Sequence, residues 1–214
     1  MELVEAQTLG DGWLEVARRI LASGDDASWG GAPTRELTLL TLVVAEPDPS
    51  DPAIASLGDP DWLAWMHANF FEPKPVAELG GADSYATRLF DYEHTGRDQL
   101  AWVVARLRAD PECRDATITT FQPHTDTTYI PCVSLLDFWL REGAVELVVY
   151  AHGLDFGKKA YGNLVELAAL QAHVAGELDA SVGRMVLHVK TAHVYEPELE
   201  LMRDVVSSAA ARPA

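Results

Sequence analysis

Apolar residues recur with two different periods along the chain. In DGWLEVARRILASG, Trp13, Val16, Ala17, Ile20 and Leu21 fall at helical spacing, and Gly24 is placed to end the helix. DWLAWMHANFF reads as a second helix. In DQLAWVVARLRADPECR, Leu100, Val103, Val104 and Leu107 make one face, and Asp110-Pro111 stops the helix because proline cannot continue it. KAYGNLVELAALQAHVAGEL predicts a long helix through Leu164, Leu167, Ala168, Leu170 and Val174, and ELELMRDVVSSAA a short last one. Runs rich in Leu, Thr and Val predict strands: RELTLLTLVVAEP, DATITTFQ, TYIPCVSLLDFWLR, AVELVVYAHGLD and GRMVLHVKTAHVYEP, with Glu142-Gly143 as a turn. DDASWGGAPT and the proline-rich 46–60 predict loops, and 72–97 is irregular. Strands and helices in this mixed order predict an α+β fold with a mixed β-sheet flanked by helices. One domain over 1–206 is expected, with 207–214 a disordered tail.

The 214 residues suffice for a substantial core. A formal charge of -17 argues against nucleic acid, whose affinity comes from Lys and Arg on phosphates, and against anionic membrane surfaces. No apolar stretch approaches the roughly 18 residues of a membrane span. The N-terminus, MELVEAQTLG, lacks the basic and apolar regions of a signal peptide. The two cysteines, Cys113 and Cys132, form no CxxC pair. A cytoplasmic protein with reduced thiols is the expectation.

Several residues could carry chemistry. Cys132 follows Pro131 in a strand-like run, where a cysteine is ordinarily an inert apolar filler. Reactivity needs nearby positive charge, which Arg114 or a histidine could supply. His188 and His193 are five apart, so on a regular strand they point to opposite faces and share no metal. His193 and Tyr195 share a face and can offer two hydrogen-bonding groups to one ligand. Asp155 and Asn163 flank Gly157 and Gly162 before the long helix. Asn163 is a helix cap or a group for the amide edge of a heterocycle. The phosphate-loop pattern GxxxxGK[ST] is absent there.

In order and spacing, these residues resemble the thymidylate synthase family. The family carries Pro-Cys on a strand, then Arg-Ser, then Asp with Asn eight residues on, and His-x-Tyr on a later strand. The matches are Pro131-Cys132, Asp155, Asn163 and His193-x-Tyr195. Tyr85 in DSYATRLF matches the family's active-site tyrosine, and DPECR its Asp-Pro-x-Ser-Arg-Arg turn. The resemblance covers about 80–200 and identifies a divergent member of the superfamily that includes pyrimidine hydroxymethylases. It implies Cys132 as the nucleophile that adds to C6 of a pyrimidine, with Tyr85 beside it. Asn163 would hold the ring, and His193 and Tyr195 a sugar hydroxyl. Asp155 would bind the pterin of 5,10-methylenetetrahydrofolate, with Trp62 and Trp65 nearby. A homodimer is implied, with Arg114 reaching the partner's site.

The departures bear on the substrate. The family grips a 5'-phosphate with four arginines and a serine. Here Arg114 is followed by Asp115, the Arg-Ser pair is His152-Gly153, and DDASWGGAPT has no arginine. A phosphate dianion needs several charge-assisted hydrogen bonds. The expectation is therefore a methylase or hydroxymethylase of a non-phosphorylated pyrimidine, such as a nucleoside, or a similar heterocycle, suited to specialised small-molecule biosynthesis. The family's glycine four after the Asp is Lys159, its histidine after the cysteine is Val133, and Asp59 or Asp61 stands in for its glutamate. Two alternatives stay open. One is a non-catalytic binding paralogue on the same fold. The other is a cysteine enzyme of another type, with His152 paired to Cys132.

Overall fold

The computed structural model describes residues 1–210. In order the elements are β1 (Glu2–Ala6), α1 (Leu9–Ser23), β2 (Asp25–Trp29), β3 (Ala32–Val44), α2 (Pro52–Leu57), α3 (Pro60–Phe71), β4 (Pro75–Val76), β5 (Ala82–Asp83), α4 (Tyr85–Phe90), α5 (Gln99–Ala109), β6 (Ala116–Thr119), β7 (Val133–Arg141), β8 (Ala144–Ala151), β9 (Leu154–Asp155), α6 (Ala160–Glu177), β10 (Ser181–Tyr195) and α7 (Leu199–Ala210). Eight strands form one sheet along the path β1-β3-β10-β8-β7-β6, with β2 on β3 and β9 on β10. β1 with β3, and β10 with β8, are parallel; β3 with β10, and β7 with its neighbours, are antiparallel. This is the expected α+β architecture with a mixed sheet.

Strand alternation sends Val145, Leu147, Val149 and Ala151 of β8, and Met185, Leu187 and Val189 of β10, into one core. Helices α1, α5 and α6 cover that side of the sheet. The core residues of α6 and α1 fall at the predicted positions, among them Leu164, Leu167, Leu170, Trp13, Val16 and Ile20. The other side of the sheet keeps apolar Leu3, Leu39, Leu135 and Tyr150 exposed.

Five segments differ from expectation. DDASW is strand β2, joined to β3 by Gly30-Gly31, both at positive φ, the geometry of a tight hairpin. The proline-rich loop contains α2, started by Pro52 and capped by Asp51, whose carboxylate accepts the N–H groups of Ala53 and Ile54. The irregular stretch holds the β4–β5 pair and α4. Strand β7 begins at Val133, so 127–132 is a loop and Cys132 stands just before the strand rather than within it. At the C-terminus, α7 runs through Ala210, so the tail expected from 207 is helical over 207–210; 211–214 lie outside the described residues.

Candidate active site

A cavity of about 790 Å³ lies where the ends of β7, β8, β9 and β10 meet α3, α4 and the start of α6. Cys132, Tyr85, Asn163, His193, Tyr195, His152, Asp155 and Trp65 all line it. Trp62 does not; it stands behind Trp65 with ring centroids 5.5 Å apart. Arg114 is exposed before β6 and does not line the cavity. The chain's own Arg114 therefore cannot activate Cys132, and within one chain it is not a substrate ligand. Asp59 is a helix cap, accepting the N–H groups of Asp61 and Trp62, and neither aspartate lines the cavity.

Two irregularities build this site. Residues 133–135 of β7 shift register against β8, leaving Ser134 as a bulge on the cavity wall. On β3, Leu39 takes φ +55°, and core positions on the paired strands run from Leu40 and Val189 to Leu37 and Ala192. The alternation slips by one residue. His193 and Tyr195 thereby join Lys190 on the cavity wall. The slip also brings His188 and His193 to the same side of β10, against the opposite faces a regular strand would give. His188 bonds Thr41 at 3.1 Å. No group of three or more His, Cys, Asp or Glu is arranged to hold a metal ion among the described residues.

The loop bearing Cys132 is tied on both sides. The Cys132 carbonyl accepts the His152 N–H at 3.0 Å. The Tyr85 hydroxyl oxygen accepts the Val133 N–H at 3.0 Å, and its ring stacks on Phe70 with centroids 4.4 Å apart. Burial, then the neighbouring Tyr129 and Cys132, hold the Tyr85 hydroxyl well above its usual range. Asn163 is buried on the first turn of α6, and among the described residues its amide nitrogen has only the soft sulfur of Met66, at 3.4 Å, as a partner. Asp155 accepts the N–H groups of Gly157 and Lys158 at 3.0 and 3.2 Å. Burial and then nearby Glu198 push its carboxyl up to about 7.

Histidine charge is suppressed. Burial lowers both His152 and His193, with Lys190 adding to the effect on His152 and Lys159 to that on His193. The His152 ring lies parallel to Trp29 at 5.9 Å, as does that of His193. A Cβ on Gly153 would meet the Trp29 ring at 3.4 Å. The indole thus covers the His152-Gly153 pair. Trp29, Asn69, Tyr129 and Lys190 line the cavity without having been singled out in the sequence. Trp29 was hidden in a segment that reads as a loop, and Lys190 became legible only with the slip in β10.

The family model described as thymidylate synthase matches residues 52–213. A protein of Methanothermobacter thermautotrophicus, named "Putative thymidylate synthase", is 28% identical over 95% of this chain and 97% of its own length. One of the same name from Methanopyrus kandleri is 27% identical over 92% and 94%. The deoxyuridylate hydroxymethyltransferase of Bacillus phage SP01 is 33% identical over 46% of this chain and 27% of that protein.

Proposed function

The chain belongs to the thymidylate synthase family, and on that premise we propose that it is a one-carbon transferase acting on a non-phosphorylated pyrimidine or similar heterocycle. Cys132 adds through sulfur to C6 of the ring, and the enolate so formed makes C5 a carbon nucleophile. Methylenetetrahydrofolate supplies the one-carbon unit. Asn163 offers a donor and an acceptor to an imide edge in exchange for its weak sulfur contact. Its position on α6, in the same cavity as Cys132, supports this role.

The observation that carries the substrate reading is the lining itself: among the described residues, no arginine of the chain lines the cavity. Both histidines there are pushed toward the neutral form. Trp29 covers the ground that the family gives to its Arg-Ser pair. A dianion would meet an indole and scattered ammonium groups where it needs several convergent charged donors. His193 and Tyr195, edge to face with centroids 5.0 Å apart, suit a sugar hydroxyl.

The donor set fits the folate. Asp155 is a partly protonated carboxyl on the cavity wall, able to donate to or accept from a pterin's amide edge, and Trp65 offers a flat apolar face. The exposed apolar side of the sheet is continuous with Tyr150 on the cavity wall, which supports a homodimer through that face. A second copy is then the way an Arg114 side chain could reach a site.

The test is intact-protein mass after incubation with 5-fluoropyrimidines and methylenetetrahydrofolate, as base, nucleoside and monophosphate, with Cys132→Ala as control. Fluorine at C5 does not leave as a proton does, so a covalent adduct accumulates. An adduct with base or nucleoside but not monophosphate is expected. An adduct with the monophosphate refutes the substrate reading, and no adduct with any of them refutes the transferase.

A further inference from the structure

A thiol acts as a nucleophile in its thiolate form, which needs positive charge nearby. Burial raises the Cys132 thiol, and Asp155 raises it further; among its charged neighbours Lys159 pulls in the opposite direction. The other groups around it offer little. Tyr85 from α4, Tyr129 from the preceding loop and Tyr195 from β10 are phenols held above their usual range. His152 from β8 and His193 from β10 are pushed toward neutrality. Lys190 acts on His152. Glu198, on the turn between β10 and α7, acts on Asp155 with the sign of a second carboxylate. Arg88, whose charge acts on Tyr85 and Tyr129, is spent on Asp126 in a bidentate pair at 2.7 and 2.8 Å.

The placement of Lys159 is itself against local preference. It stands at the N-cap of α6, an 18-residue helix, and its side chain makes no capping bond. N-caps favour Ser, Thr, Asp and Asn, whose oxygens accept the free N–H groups. The helix dipole makes this end positive, so a lysine there is repelled. Its ammonium lies 5.2 Å from the Trp62 ring centroid and 5.7 Å from that of Trp65, within cation–π range. Those rings hold a charge at the cavity wall that the helix alone would reject. Lys159 lines the same cavity as Cys132, and a residue that breaks a local rule while facing a functional cavity points to a role in that cavity.

We propose that Lys159 is the cation that stabilises the Cys132 thiolate. The proposal rests on Cys132 being the nucleophile. Lys159 is a positioning residue: its charge acts through the thiolate, while the thiol proton passes to solvent.

The experiment measures alkylation of Cys132 by iodoacetamide against pH, from 6 to 10, on the full chain. Peptide mass spectrometry separates Cys132 from Cys113. Sulfur displaces iodide, so the rate follows the thiolate fraction and needs neither pyrimidine nor folate. Lys159→Gln should move the midpoint up by about one unit, making alkylation about tenfold slower below it. Lys159→Arg should restore most of the wild-type profile. Asp155→Asn should move the midpoint down, because it removes the opposing carboxylate while keeping an acceptor for Gly157 and Lys158. Superimposable profiles for wild type and Lys159→Gln overturn the proposal. So does a shift that Lys159→Arg fails to reverse, which would mean packing rather than charge, and so does a wild-type Cys132 that never reacts. If the profile shifts as expected while no fluoropyrimidine adduct forms, Lys159 keeps its role and the transferase reading falls.

Discussion

The loop that presents Cys132 depends on one buried ion pair. Arg88 on α4 is 1% exposed. It donates Nη2 and Nη1 to the Asp126 carboxylate at 2.7 and 2.8 Å, Nη1 also to the Thr120 carbonyl at 2.8 Å, and Nε to the Asp83 carbonyl at 3.0 Å. Thr120 in turn donates its hydroxyl to the Val133 carbonyl, one residue after Cys132. Arg88→Met removes the guanidinium and strands a carboxylate whose side chain is 5% exposed. Breaking one side of such a pair costs about 3–5 kcal/mol, because the remaining charge stays buried without a partner. With a urea slope of about 3 kcal/mol/M, the midpoint should fall by about 1–1.7 M. Asp126→Asn in the same chain removes the stranded charge, yet keeps an acceptor for the Gln122 N–H that Asp126 now takes at 2.8 Å. The double variant should therefore recover about 1–2 kcal/mol relative to Arg88→Met alone. Urea unfolding followed by far-UV circular dichroism measures all the variants. A loss under 1 kcal/mol for Arg88→Met, or a double variant whose loss is the sum of the two single losses, would refute the reasoning.

Three further outcomes are expected. The Asp155 carboxyl, raised to about 7, binds its proton more tightly folded than unfolded, so its contribution to stability falls as pH rises from about 4 through 7 and is level above. Asp155→Asn should remove that slope, which for one group is at most about 4 kcal/mol and is shared with Glu198; parallel wild-type and variant stability curves from pH 4 to 8 would contradict this. Tyr85→Phe leaves the buried Val133 N–H without its acceptor and should cost about 1–3 kcal/mol in urea unfolding, an unchanged midpoint arguing against that bond. Asp51→Ala should cost about 2–3 kcal/mol by the same measurement, since that 3%-exposed carboxylate accepts Gly10, Ala53 and Ile54 together; a loss near the few tenths of a surface substitution would show that the cap contributes little.

The elements that read clearly from sequence are those with a long apolar period: α1, α5, α6 and the strands β3, β8 and β10. What escaped was short or locally encoded. DDASW lacks the alternation of a half-buried strand; its strand pairing is with β3, through pairs such as Asp25 with Glu36, and Trp29 packs on His152 and His193. Asp51-Pro52 carried a helix-start signal, but α2 has just six residues and one buried apolar side chain, Ile54. In the site, order along the chain was enough to gather Cys132, Asp155, Asn163, His193 and Tyr195. It could not place Arg114, which faces solvent and does not line the cavity. Trp62 and Trp65, three apart on α3, looked equivalent; the helix turns Trp65 into the cavity and leaves Trp62 to hold Lys158 and Lys159.

Regular strand alternation would have defeated this site. On β10 the core residues Met185, Leu187 and Val189 have odd numbers, so an unbroken strand would send His193 and Tyr195 in among the helices, where an imidazole and a phenol would lack partners. The slip at Leu39 and Lys190 exchanges the two sides. Ala192 and Val194 then fill the core, and both polar rings turn to the cavity. A leucine at positive φ is an unfavourable conformation, and Leu39 keeps it with its side chain 60% exposed, so apolar burial in the single chain does not compensate for it. What the slip creates is the cavity wall that carries both rings, so the strain in β3 and the position of the cavity-facing rings are one structural fact.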